Sequence, residues 1–177
     1  MTLSEFTKGD FEPPHQCPYW VWKKKASSPL GNLKLTLMLS PGDKSEPDQR
    51  MFELAEDLIA FVQANSELVI DIAFASYRTC LQRAPDWLEF SDVPLDLSRD
   101  TIIKYLDPGV TVFNDRPNLY IDESVCQAGG YTQSIGLRPQ WDDEHGLSLH
   151  VQDHKIIRVN MEKFEIKDGL LIGITED

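Results

Sequence analysis

Cysteine is scarce in this 177-residue chain: Cys17, Cys80 and Cys126 make an odd number with no C-x-x-C spacing. That pattern excludes a disulfide-stapled secreted framework and points to a reducing compartment. No apolar run reads as a signal peptide or a membrane span, and Met1 to Pro14 carries acids and prolines, so the expected location is cytoplasmic. Positive charge is also short, with 17 Lys and Arg against 29 Asp and Glu and a formal net charge of -12. This balance repels phosphate backbones and disfavours nucleic-acid binding. It attracts a basic protein partner, although solubility alone explains it equally well. Catalytic signatures are missing too. There is no Gly-x-Ser-x-Gly elbow, and Gly129-Gly130 lacks the lysine or glycine spacing of a phosphate loop. No cofactor is expected.

Apolar residues make up 41% of the chain, enough for a core without metal or disulfide staples. With no repeat or break in composition, residues 1–177 read as a single α+β domain, and residues 1–16 read as an irregular arm because of Gly9-Asp10 and Pro13-Pro14. Tyr19 to Trp22 favours a strand, ended by Lys23-Lys24-Lys25 at a strand end or sheet edge. Leu33, Leu35, Leu37 and Leu39 alternate with Lys34, Thr36 and Met38, a strand with one buried face. Ala26 to Asn32 joins the two as a loose hairpin. Ser45-Glu46-Pro47-Asp48 opens a helix with Ser45 as its cap. Its buried stripe is Met51, Leu54, Ala55, Leu58, Ile59 and Val62. After Asn65-Ser66 a second helix turns Val69, Ile72, Ala73, Tyr77, Cys80 and Leu81 to one face and stops before Pro85. The two form an αα-hairpin that must cover a sheet. A shorter helix is expected from Ser98 to Leu106. Val110–Phe113, Leu119–Ile121, Tyr131–Leu137 and Leu147–Val151 read as strands, followed by hairpins turning at Asp153-His154 and Lys167-Asp168-Gly169. The expected sheet is largely antiparallel.

Trp141-Asp142-Asp143-Glu144-His145-Gly146-Leu147 is the densest chemistry in the chain. A metal site would recruit its acids and His145, with His150 or His154 in reach. No second histidine lies four residues from His145, so the helical H-E-x-x-H arrangement is absent and no metal is expected. A small hydrolase or metal-dependent enzyme centred on Glu144 and His145 is the alternative, since imidazole titrates near neutrality. It lacks a recognisable nucleophile. The scaffolding reading buries the Trp141 indole and spends the carboxylates on backbone N–H groups, with Gly146 supplying a geometry closed to other residues.

This segment, Trp141-Asp142-x-Glu144-His145-Gly146-Leu147 followed by an alternating strand and a short hairpin, resembles a family of small bacterial proteins of uncharacterised function. Some of its members resemble immunity proteins encoded beside polymorphic toxins. The resemblance is carried mainly by residues 137–159, and Ser148-Leu149 departs from the usual small residue after the leucine. It implies immunity-like binding and transfers no catalytic role.

Trp20 and Trp22 share one strand face and are expected in the core. Trp87, in a loop beside acids, suits an interface anchor. The stretch from Asp86 to Asp100 interleaves acids with apolar residues. Asp86, Trp87, Glu89, Asp92 and Asp96 are its expected partner-facing residues, while a solvated loop pinned to the core is the blander alternative. The leading expectation is a non-enzymatic protein-binding module, an immunity protein that occludes a basic toxin without binding nucleic acid or membrane.

Overall fold

Alternation on the strands and spacing on the helices both carry through to a computed structural model of the chain, which describes residues 1–9, 20–39, 46–83, 92–114, 130–142 and 145–174. Strands β1 (Thr7–Gly9), β2 (Trp20–Ser28) and β3 (Gly31–Leu39) come first, followed by helices α1 (Gln49–Ala64) and α2 (Ser66–Arg83). Next are β4 (Leu106–Asn114), β5 (Tyr131–Pro139), β6 (Leu147–Gln152) and β7 (Lys155–Val159). These seven strands form one sheet in chain order, while β8 (Lys163–Lys167) and β9 (Leu170–Ile174) pair separately. Only β3 and β4 run parallel, because the two helices form the crossover between them. The architecture is α+β with a largely antiparallel sheet, as expected.

One face of the sheet lies under the helices. Leu33, Leu35, Leu37 and Leu39 are all buried there, with Val110, Val112, Ile135, Leu137, Leu149 and Val151. Helix α1 adds Met51, Leu54, Ala55, Leu58 and Val62 from the anticipated stripe, together with Phe52 and Phe61, whereas Ile59 is only partly buried. The helices are separated by Asn65, whose side-chain amide donates to the Phe61 carbonyl at 2.9 Å. Their axes turn by 75° across that break, so the pair bends over the sheet. Among the described residues no single helix is long and apolar enough to cross a membrane. Thr79 on α2 accepts the Leu171 N–H at 2.8 Å and so ties the β8–β9 ribbon to the helix.

Several expectations are corrected. The arm is not irregular over its described part: Leu3–Glu5 forms a 3-10 turn and β1 pairs with β2. Burial of Phe6 and the Lys24–Glu5 ion pair, 2.6 Å, hold it there. Residues 10–16 lie outside the described residues. The cap of α1 is Asp48, whose carboxylate accepts the Met51 N–H at 3.0 Å; Ser45 is outside the described residues. Lys23-Lys24-Lys25 does not end a strand, because β2 continues to Ser28 and pairs residue for residue with β3. The loose hairpin is therefore a tight one: Ser28 faces Gly31, and the Ser28 hydroxyl accepts the Leu30 N–H at 3.1 Å.

The helix expected over Ser98 to Leu106 shrinks to a 3-10 turn at Ile102–Tyr105. Three consecutive β-branched residues, Thr101 to Ile103, weaken so short a helix. Leu106 already belongs to β4, which runs through Pro108. On the β3 side the ladder starts only at Gly109, so Pro108 stands where a missing N–H is tolerated. The expected strand Leu119–Ile121, and Cys17 and Cys126, lie outside the described residues.

Candidate functional site

Two places carry unusual side chains: the tryptophan-led turn before β6, and the sheet face opposite the helices. In the first, the Trp141 indole is buried in a small second core with Tyr77, Val93 and Ile102. Tyr77 meets it edge-on and donates its hydroxyl to the Pro94 carbonyl at 2.8 Å. The Trp141 Nε1 is buried and has no acceptor among the described residues. Beyond it the chain reverses. Asp142 donates its N–H to the Pro139 carbonyl, and the Asp142 carbonyl accepts the Gly146 N–H at 3.1 Å. The Asp142 carboxylate takes the His145 N–H at 3.2 Å and lies 2.9 Å from His145 Nδ1. Gly146 sits at φ +69, the left-handed geometry for which a glycine is suited.

A residue outside the motif completes this turn. The Asn160 side chain accepts the Ser148 N–H at 2.7 Å, while its backbone N–H donates to the Ser148 carbonyl at 2.8 Å. Nothing in the sequence around Asn160 marked it, because its partners are 12 positions away. Asp142 and His145 are thus brought together, Trp141 lies beneath them, and Glu144 lies outside the described residues.

Other candidate groups are dispersed. No cluster of three or more His, Cys, Asp or Glu side chains among the described residues is arranged to hold a metal. Burial, and then the Asp142 carboxylate, push the Cys80 thiol up, opposite to what a reactive thiolate needs. His150, on β6, is half-buried, and its Nδ1 has no partner among the described residues. Burial first, and the Arg158 guanidinium second, push its pKa down. A hollow of about 170 Å³ between α1 and the β6–β7 turn includes Arg50, Asp57 and His154.

Of the expected partner-facing residues, Asp86, Trp87 and Glu89 lie outside the described residues. Asp92 and Asp96 are exposed on either side of Leu95, itself 49% exposed. Buried Val93 and the Tyr77–Pro94 bond anchor that segment to the second core. Nearby, Arg99 is held firmly protonated by Asp71, 2.6 Å away, and then by Glu67, 2.7 Å away. The tryptophan pair splits: Trp22 is buried as expected, but Trp20 is 39% exposed beneath the Lys8 ammonium, 4.4 Å from its ring centre. Its place at the first residue of β2 leaves less of the sheet to cover it.

Strand register lays out the face opposite the helices. One row across β2 to β6 reads Lys25, Lys34, Gly109, Gly136 and Ser148. Its neighbour reads Lys23, Thr36, Thr111, Ser134 and His150. A groove of about 940 Å³ runs over these rows between Lys25 on β2 and Arg138 on β5. Sequence reasoning missed it because its members come from five strands, β1 to β5, and the Leu3–Glu5 turn, which only the fold sets side by side.

A seven-stranded sheet backed by a helix pair, closed at one end by a hydrogen-bonded tryptophan turn, defines an α+β protein in which, among the described residues, no helix covers the second sheet face. A family model described as a domain of unknown function (DUF6985) matches residues 7–165, and the chain belongs to that family. No curated protein and no solved structure matches it.

Proposed function

We propose that this chain is a non-enzymatic protein-binding module of the immunity type, which neutralises a cognate toxin in the cytoplasm of a bacterium by occluding a basic active site. The observation that carries the reading is the segment from Asp92 to Asp96. It presents exposed Leu95 between two exposed carboxylates on a backbone held by buried Val93 and by the Tyr77 hydroxyl. An apolar anchor flanked by charge, on a backbone tied to the core before it binds, loses less entropy on association than an untethered one. The net charge of -12 speeds encounter with a cationic partner. The resemblance of residues 137–159 to a family of uncharacterised bacterial proteins, some of them immunity-protein-like, supports the same reading, and the Trp141 turn then serves as scaffold.

The test is protection. Cells expressing the toxin encoded by the adjacent open reading frame should survive when this chain is co-expressed. Asp92→Lys, Leu95→Glu and Asp96→Lys should remove that protection while the far-ultraviolet dichroism stays that of the wild type. Absence of protection by the wild-type chain would count against the proposal.

A second reading rests on the Asp142–His145 pair, in which a carboxylate orients an imidazole at 2.9 Å as in acid–base catalysis. A hydrolase centred on Glu144 and His145 would lose its turnover in the His145→Ala variant. The immunity reading expects protection to survive that change.

A further inference from the structure

Among the described residues, the groove on the sheet face opposite the helices has a glycine floor and cationic side chains at either end, with the carboxylates of Glu5 and Asp107 also in its lining. Its floor is the cross-strand pair Gly109 and Gly136. A methyl group built on Gly136 would meet nothing within 4 Å among the described residues, which leave space above the floor. Lys23 and Lys25 form one wall and Arg138 the other; all three are exposed, and none has an ion pair among the described residues. Lys24 and Lys34 also line the groove, and are paired there with the carboxylates of Glu5 and Asp107. Hydroxyls of Thr36 and Thr111 line the middle. Three cations without an ion pair among the described residues outnumber the two lining carboxylates, already paired with Lys24 and Lys34, and give the described groove a local field opposite to the net charge of -12.

We propose that this groove binds a small organic bisphosphate, with one phosphate against Lys23 and Lys25, the other against Arg138, and a hydroxylated middle over the threonines. Three strand spacings separate the walls, about 14 Å at roughly 4.8 Å per strand, and the long side chains reach inward from both. Lysine serves phosphate as a point charge and arginine as a two-pronged donor. The volume of about 940 Å³ is that of a small-molecule site. Among the described residues no aromatic ring lines the groove, so these supply nucleic-acid bases with no stacking platform and a protein partner with no anchor. The overall negative charge further opposes a long polyanion. This site is separate from the Asp92–Asp96 surface, so the two readings stand or fall independently.

Titration calorimetry of the full chain with fructose 1,6-bisphosphate tests it, with fructose, a glutamate tetrapeptide and a thymidine oligonucleotide as comparisons. The bisphosphate should bind at one site and weaken as salt is raised, while fructose gives no heat. Lys23→Glu and Arg138→Glu should each weaken binding roughly tenfold or more, the scale of a lost charge-assisted hydrogen bond. Gly136→Val removes no charge and suits a strand, so it should fold normally yet weaken binding by filling the floor. No binding of the bisphosphate, binding that Gly136→Val leaves intact, or tighter binding of the peptide or oligonucleotide would overturn the proposal.

Discussion

Tyr77 packs edge-on against Trp141, with ring centres 5.5 Å apart and planes at 72°. The contact joins the middle of α2 to the turn that leads into β6, and it sits at the centre of the second core. The Tyr77 hydroxyl, bonded to Pro94, extends the same unit to the acidic segment from Asp92 to Asp96. Tyr77 therefore touches both the scaffold turn and the proposed binding surface.

Trp141→Ala should cost about 3–5 kcal/mol in urea unfolding, the range for removing a large buried aromatic. Tyr77→Phe keeps the ring contact and loses the hydroxyl's bond to the Pro94 carbonyl and the longer one it accepts from the Leu97 N–H, about 1–2 kcal/mol. It should also loosen residues 92–96, read as faster amide exchange there. Equal losses in the two variants would show that the ring pair contributes little.

The turn before β6 makes an asymmetric prediction about its polar residues. Asn160→Ala strips the partner from the Ser148 N–H and should cost about 1–2 kcal/mol, partly because Asn160 sits at φ 48. His145→Ala, at a side chain 63% exposed, should change stability by less than about 0.5 kcal/mol. Thermal unfolding of the two variants side by side gives the comparison; the reverse order would move the stabilising role to the histidine.

Asp48 links helix and sheet. One carboxylate oxygen caps α1 at Met51 and the other accepts the Tyr131 hydroxyl at 2.6 Å. Asp48→Ala should cost about 2 kcal/mol, and Asp48→Asn, still a good cap, about half of that. Denaturant midpoints distinguish these outcomes from a cap of no consequence, for which both variants would match the wild type.

His150 predicts a slope of stability with pH. Burial, and then Arg158 on the neighbouring strand, lower its pKa in the folded chain, while Ser134 opposite it on β5 is neutral. The unfolded chain therefore takes up a proton at higher pH than the folded one. This contribution to stability is full above the ordinary imidazole value of about 6.5, falls as pH drops below it, and levels off once the folded imidazole is also protonated. His150→Gln should flatten that part of the pH–stability curve. An unchanged slope would assign the effect to other groups.

Local patterning carried most of the architecture. Alternating leucines at 33 to 39 predicted a one-sided strand, and helical spacing from Met51 to Tyr77 predicted the covering faces, because burial on one side imposes a period that a sequence records directly. Turn chemistry at Asp153-His154 was legible for the same reason: both residues adopt the positive φ that a two-residue hairpin requires. Where local signals competed, they misled. A lysine run read as a strand end lies mid-strand, since Lys23 and Lys25 point away from the core while Trp22 on the opposite face is buried within it.

What the amino-acid order determined by itself was the class of fold, the buried faces and the turns, all governed by neighbours a few positions apart. Tertiary structure alone decided the rest: the parallel joining of β3 to β4, the completion of the Trp141 turn by Asn160, and the row of lysines, glycines and hydroxyls across the open face. Those features depend on strand register, which brings together residues 12 to more than 100 positions apart and leaves no periodic trace in the chain.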